Sequence, residues 1–256
     1  MRDTTLGRWL GMRTLSLAAC LSVVGYARAA QEDSVVLQVR IQNEASGRRE
    51  RFVNPPSLLS EVVVWLQPVD APATAMLPAV QQPVKRSQII QKNKSFQPHL
   101  TVVHAGSVVD FPNHDPFFHN VFSLFDGKPF DLGLYEAGAT NSVRFDRVGV
   151  SYLFCNIHPE MSAIVVALDT PYYAVSDKSG KVIIPKVPDG RYELHVWYER
   201  SLPEPLKNLT RTVRISAQSR DLGTLAIPED PSFTPSHKNK YGQDYSPPPK
   251  QGYPQP

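Results

Sequence analysis

An all-β fold is predicted by three observations along the 256 residues. Segments rich in Val, Ile and aromatic residues recur; Gly, Pro, Asn and Asp separate them; and no stretch keeps a 3.6-residue apolar period between helix caps. Hydrophobic residues make up 41% of the chain, enough to fill a core at this length.

Taken in order, strands are expected at residues 35–41, 62–67, 86–91, 100–104, 107–111, 120–124, 142–146, 151–155 and 163–167. Nine short strands suit a Greek-key sandwich, assigned to residues 30–169. After Asp169 the pattern restarts with strands at 172–176 and 182–187, a turn at Pro188-Asp189-Gly190, and strands at 192–198, 212–215 and 222–227. These predict a second, smaller β-sandwich over 170–229, with the boundary at Thr170-Pro171. From 230 onward the chain holds Pro247, Pro248, Pro249, Pro254 and Pro256 among polar residues and Tyr241, Tyr245 and Tyr253, with almost nothing aliphatic to bury. A disordered or polyproline-like, solvated tail is expected over 230–256.

The N-terminus differs from the rest. Arg2, Arg8 and Arg13 precede an apolar run from Leu15 to Tyr26, followed by the small-residue triplet Ala27-Arg28-Ala29. That order reads as a secretory signal peptide over 1–29 and implies export to the periplasm. Leu17-Ala18-Ala19-Cys20 also resembles a lipobox, which would anchor a lipid on Cys20. The apolar run continues past Cys20, so cleavage near Ala29 is the preferred reading. No later stretch reaches the roughly 20 apolar residues of a spanning helix, and the mature chain is expected not to be transmembrane.

Removing 1–29 takes away four arginines and Asp3, leaving 23 basic and 23 acidic groups. A net charge near zero gives a nucleic-acid partner no electrostatic basis. It also leaves Cys155 as the only thiol in a protein bound for an oxidising compartment, so no intramolecular disulfide can form. Such a cysteine is either buried and inert, open to oxidation, or held as a metal thiolate, and its neighbours decide which.

Those neighbours read F-C-N-I-H-P-E-M over 154–161, which places a thiol, an imidazole and a thioether three residues apart where a predicted strand runs into a loop. Upstream, F-F-H-N-V-F-S puts His119 at the head of another strand. His119, Cys155, His158 and Met161 together make the two-imidazole, one-thiolate set with a weak axial thioether that marks electron-transfer copper. Zinc prefers four strong donors, so Met161 in place of a second Cys or a third His argues for copper.

These residues resemble the cupredoxin family of type 1 (blue) copper proteins. The 154–161 segment shares the C-x-x-H-P-x-M spacing of an amicyanin- or plastocyanin-like ligand loop. G-S-V-V-D-F-P-N over 106–113, followed six residues on by His119 and Asn120, is similar to the family's strand-plus-His-Asn segment. The resemblance covers residues 86–168, with an extension back to Val35. It implies a cupredoxin-like sandwich and one copper ion cycling between Cu(I) and Cu(II) on the four residues above. It also implies that Asn120 braces the two ligand loops and protects the sulfur. One departure stands out: the family's aromatic four residues before the Cys is Ser151 here. Residues 171–228, above all P-D-G-R-Y-E-L-H-V-W at 188–197, look like a carboxypeptidase regulatory-like or transthyretin-like module, which implies no catalysis.

The other histidines carry less. His99, His104 and His114 read as surface or hydrogen-bonding residues, because no H-x-H pair exists to supply the further coppers of an oxidase or reductase. His195 alternates with Leu194 and Val196 in a strand and His237 sits in the tail, so neither receives a role. Asn208-Leu209-Thr210 matches the N-glycosylation pattern and is read as chance. Phe117, Phe118 and Pro159 flank two of the proposed ligands and suggest an apolar rim. The expectation is an exported protein, not itself an enzyme, that shuttles single electrons between a redox protein donor and acceptor. Copper storage or delivery, or a binding module with a vestigial site, are the alternatives.

Overall fold

A computed structural model describes residues 34–43, 51–52, 61–70, 86–124, 127–234 and 237–245. The expected signal segment with Cys20, and the end of the tail with Tyr253, lie outside these residues. The described residues are almost all β, with the short helix α1 (Pro203–Lys207) between two late strands.

In chain order the strands are β1 (Val35–Asn43), β2 (Arg51–Phe52), β3 (Val63–Pro68), β4 (Ser87–Gln88), β5 (Ile90–Gln91), β6 (Phe96–Gln97), β7 (Leu100–His104), β8 (Ser107–Pro112) and β9 (His119–Ser123). They continue as β10 (Phe130–Tyr135), β11 (Thr140–Phe145), β12 (Gly149–Phe154), β13 (Ser162–Leu168), β14 (Tyr173–Val175), β15 (Lys181–Ile184), β16 (Gly190–Trp197), β17 (Arg211–Ile215) and β18 (Asp221–Glu229). A five-stranded sheet in the order β10-β9-β12-β13-β7 faces a three-stranded one, β11-β8-β4. The remaining large sheets run β15-β1-β18 and β14-β3-β16-β17. The strand β10 escapes the sequence reading because Asp131 and Gly133 interrupt its apolar alternation, and its pairing with β9 shifts register there.

The boundary expected at 170 does not separate the sheets. Residues 35–41 and 62–67, assigned to the first domain, pair with the C-terminal strands. β1 lies antiparallel to β15 and parallel to β18, while β3 sits between β14 and β16. The sandwich that contains Cys155 is therefore built from the chain between β4 and β13. The physical reason is that period-2 apolar alternation says which face of a strand is buried, not which strand lies beside it.

The strand β13 joins the two parts. Its run A-I-V-V-A-L is apolar at every position, the pattern of a strand covered on both faces. Ala163, Val165 and Ala167 belong to one core, with Val109, Phe111, Val121, Phe145 and Leu153. Ile164, Val166 and Leu168 belong to the other, with Val39, Val64, Leu66, Tyr192, Leu194 and Ile227. The five-stranded sheet is thus a middle layer, with the C-terminal sheets packed on part of its outer face.

An ion pair ties the same layers at the edge. His99, just before β7, places Nε2 2.8 Å from Glu199 Oε2, and its Nδ1 lies 3.1 Å from the Ser162 carbonyl. The bond to Glu199 raises the imidazole pKa against the opposing effect of burial. A raised folded-state value means that the contribution is complete below about pH 6.5 and is lost as pH climbs through the folded pKa. The expected gap in stability between wild type and His99→Gln is on the order of 1 kcal/mol at pH 6, shrinking toward pH 9. Unfolding midpoints across that range check it; a gap independent of pH would refute the linkage.

The tail departs from expectation. Residues 237–245 fold back on the end of β12 instead of trailing in solvent: the His237 ring stacks on Phe154 and the Tyr245 hydroxyl reaches the Cys155 carbonyl. A composition poor in aliphatics hides this, because the contacts are made by rings and polar groups.

Candidate metal centre

Two sequence-distant pieces, the head of β9 and the loop after β12, converge at one end of the middle sheet. Alternation along β12 turns Ser151 and Leu153 toward the core that includes Val109 and Phe111, and Cys155 continues that face, wholly buried, one residue past the strand. The loop that follows closes on itself: Cys155 N–H donates to the Met161 carbonyl at 3.3 Å, and Met161 N–H to the His158 carbonyl at 3.1 Å. His119 heads β9, which pairs with β12 through Phe122 opposite Phe154.

The three donor atoms meet. His119 Nδ1 and His158 Nδ1 are 3.1 Å apart, and Cys155 Sγ is 3.9 Å from the first and 3.6 Å from the second. A point equidistant from the corners of that triangle lies about 2.1 Å from each, close to the roughly 2.0–2.3 Å of metal–nitrogen and metal–sulfur bonds. Met161 is fully buried in the same core as Cys155, at the far end of the closed loop.

Hydrogen bonds set the donors for ligation. His119 Nε2 lies 2.8 Å from Asp115 Oδ2, so the ring proton sits on Nε2 and the lone pair on Nδ1 faces the sulfur. Asp115 is itself anchored, accepting the backbone N–H of Asn93 at 2.6 Å and of Lys94 at 2.9 Å. Burial pushes the Asp115 carboxyl upward, but those amides and the His119 bond outweigh it and hold the group below its ordinary value. The loop bearing Asp115 is fixed by Asn113, whose side chain donates to the Phe117 carbonyl at 2.8 Å and accepts the Asp115 N–H at 3.0 Å.

Burial raises the Cys155 thiol pKa, while the backbone N–H groups of Ile157, Asn120 and His158 oppose the shift by facing the sulfur. Burial, then the nearby His119 ring, lowers His158, which favours the neutral imidazole a metal needs. His158 is half-buried, and the Phe117 ring lies against both imidazoles at 5.2 and 5.6 Å.

No family model matches the chain, and no curated relative does. Solved structures give partial matches. A copper-containing nitrite reductase from Thermus scotoductus SA-01 is 24% identical over 38% of this chain and 26% of its own, with a TM-score of 0.32. A purple cupredoxin from Nitrosopumilus maritimus is 24% identical over 32% of this chain and 98% of its own, with a TM-score of 0.29. A Cu(I) amicyanin mutant is 18% identical over 32% of this chain and 81% of its own, with a TM-score of 0.31. The chain thus spans about a quarter of the length of that reductase. At these scores the chemistry rests on the side chains alone.

Asn120 differs from the expectation attached to it. Its side chain donates to Asp131 Oδ1 at 2.7 Å and the Gly133 carbonyl at 3.0 Å, tying β9 to β10, and it is the backbone N–H that faces the sulfur. Ser151, where an aromatic is usual, is buried and accepts the Lys128 N–H at 2.8 Å. The approach is close: a Cβ on Gly127 would sit 2.3 Å from the Ser151 hydroxyl, so residue 127 has no room for a side chain.

Sequence reading missed Asp115. The signal was an acidic residue four positions before His119, but in P-N-H-D-P such a residue reads as a turn former. His99 lies away from the three donors, with Glu61 and Glu199.

Proposed function

We propose that this chain is an exported mononuclear type 1 copper protein that carries single electrons, with His119, Cys155, His158 and Met161 as ligands. The observation that carries the reading is the buried triangle of two Nδ1 atoms and one sulfur, with its lone pairs oriented by Asp115 and by backbone amides. Copper held there supplies a Cu(I)/Cu(II) couple. Asp115 keeps His119 in the ligating tautomer, the N–H groups of Asn120, Ile157 and His158 would stabilise the thiolate, and Met161 would offer a weak thioether donor. A site held by two anchored loops resists the change of geometry that would slow electron exchange.

His158 is the surface end of the site. Around it Phe117 and Phe118 are 36% and 54% exposed, Ile157 is 43% exposed, and Pro159 is exposed as well. This apolar rim suits the small, weak encounters of redox proteins, with a donor and an acceptor docking in turn. Export to the periplasm fits the N-terminal segment, and among the described residues no helix is long and apolar enough to cross a membrane. The role is that of a carrier, not an enzyme.

The test is direct. Residues 30–256 loaded with Cu(II) should show strong thiolate-to-copper absorption and a type 1 spin-resonance spectrum, and Cys155→Ser should abolish both. A colourless wild type, or colour that survives the substitution, would sink the assignment. Copper affinity should also rise with pH, because the metal must displace a proton from a thiol whose pKa burial raises.

A further inference from the structure

The middle sheet poses a packing problem at the end that carries the site. Its outer face is covered by the C-terminal sheets along β13, β7 and part of β12, where Ile164, Val166, Leu100, Val150 and Tyr152 meet their core. Phe122 and Phe154, nearer the metal site, belong to neither core, yet Phe122 is only 1% exposed. The chain itself supplies the cover, in residues 237–245.

The contacts of this segment with the sheet gather at the end of β12, beside Cys155, and one reaches Asp131 on β10. The Tyr245 hydroxyl donates to the Cys155 carbonyl at 2.6 Å. The His237 ring stacks on Phe154, centroids 4.1 Å apart, and the Tyr245 ring meets His237 edge-on at 5.3 Å. Lys240 donates its backbone N–H to Asn156 Oδ1 at 3.0 Å, and its ammonium lies 2.7 Å from Asp131 Oδ2, whose other oxygen accepts from Asn120. The segment arches over the aromatic face and leaves a cavity of about 630 Å³ between Phe122, Tyr152 and Phe154 below and Asn239 and Lys240 above.

We propose that residues 237–245 are a strap that clamps the Cys155–Asn156 backbone and closes the outer face of the site against water, with Tyr245 as a positioning residue for the thiolate. The inference builds on the copper reading but has its own geometry: a bond to the carbonyl of residue 155 fixes the peptide from which the sulfur hangs. Hydrogen bonding and hydrophobic cover around a copper-bound cysteine tune its reduction potential. Loosening the strap admits water, which favours the more highly charged Cu(II) and lowers the potential.

Two readouts on the mature chain test it. In the metal-free protein, alkylation of Cys155 by iodoacetamide should speed up in Tyr245→Phe and His237→Ala by roughly five- to tenfold, the effect of one net hydrogen bond on a local opening. Tyr241→Phe, at a tyrosine 70% exposed, should leave the rate unchanged. In the copper-loaded protein, Tyr245→Phe should shift the thiolate-to-copper band and lower the potential. Wild-type alkylation rates in Tyr245→Phe and His237→Ala would overturn the clamp; faster alkylation with an unmoved band and potential would overturn the positioning role. A wild type without the copper–thiolate band would defeat the copper reading and with it the positioning role, while the alkylation rates still decide the clamp.

Discussion

Replacing Asp115 by Ala should weaken copper binding by about 10–100-fold, the usual effect of removing the partner that orients a ligating histidine. Three groups depend on this carboxylate: the His119 ring N–H and the backbone N–H groups of Asn93 and Lys94. Without it His119 loses the bond that fixes its tautomer, and Nδ1 points at the sulfur for only part of the time. The two amides that also lose their acceptor belong to exposed residues, where water replaces it, so the loss falls mainly on His119. Asp115→Asn separates the effects, since an amide oxygen still accepts a hydrogen bond but carries no charge. Competition titration with a Cu(I) chelator should rank wild type above Asn and Asn above Ala. Equal affinities in all three would show that His119 is oriented without Asp115.

Ile164→Ala should destabilise the whole protein by about 2–5 kcal/mol, and not the C-terminal sheets alone. Ile164 is 1% exposed and faces that core, while its neighbours Ala163 and Val165 face the copper-side core from the same strand. Melting one side therefore strips a face from the other. Residues 30–256 carry native probes for each part: Trp65 and Trp197 lie at the C-terminal core, and Cys155, the only thiol among them, lies in the other. Tryptophan fluorescence and thiol exposure should follow one denaturant transition in wild type, and one transition at lower denaturant in Ile164→Ala. Separate transitions would mean that the two parts unfold independently despite the shared strand.

How much was legible beforehand can be read from particular residues. Cys155, His158 and Met161 lie within seven positions of one another at a strand end, and a loop so short can hardly avoid bringing its side chains near one point. The class of the fold was as plain, because alternation and turn residues are written locally along every strand. His119 was found through its own flanking pattern, although 36 residues of chain separate it from Cys155. The pairing of β1 and β3 with strands near the other end of the chain was not legible, because both precede their partners by more than a hundred residues. Nor were the contacts of residues 237–245, because their anchors are isolated: one histidine, one lysine and one tyrosine among polar residues.

What the sequence by itself determined is therefore the strand content and the identity of a soft, mixed nitrogen–sulfur donor set, since both follow from residue types at short spacing. Only the tertiary structure decided that Asp115 orients His119, that β13 serves two cores, and that the C-terminal segment covers the ligand loop. Each of these is a meeting between distant segments, chosen by which uncovered face or unpaired group another stretch of chain can satisfy. Such complementarity exists between surfaces and has no signature along the chain.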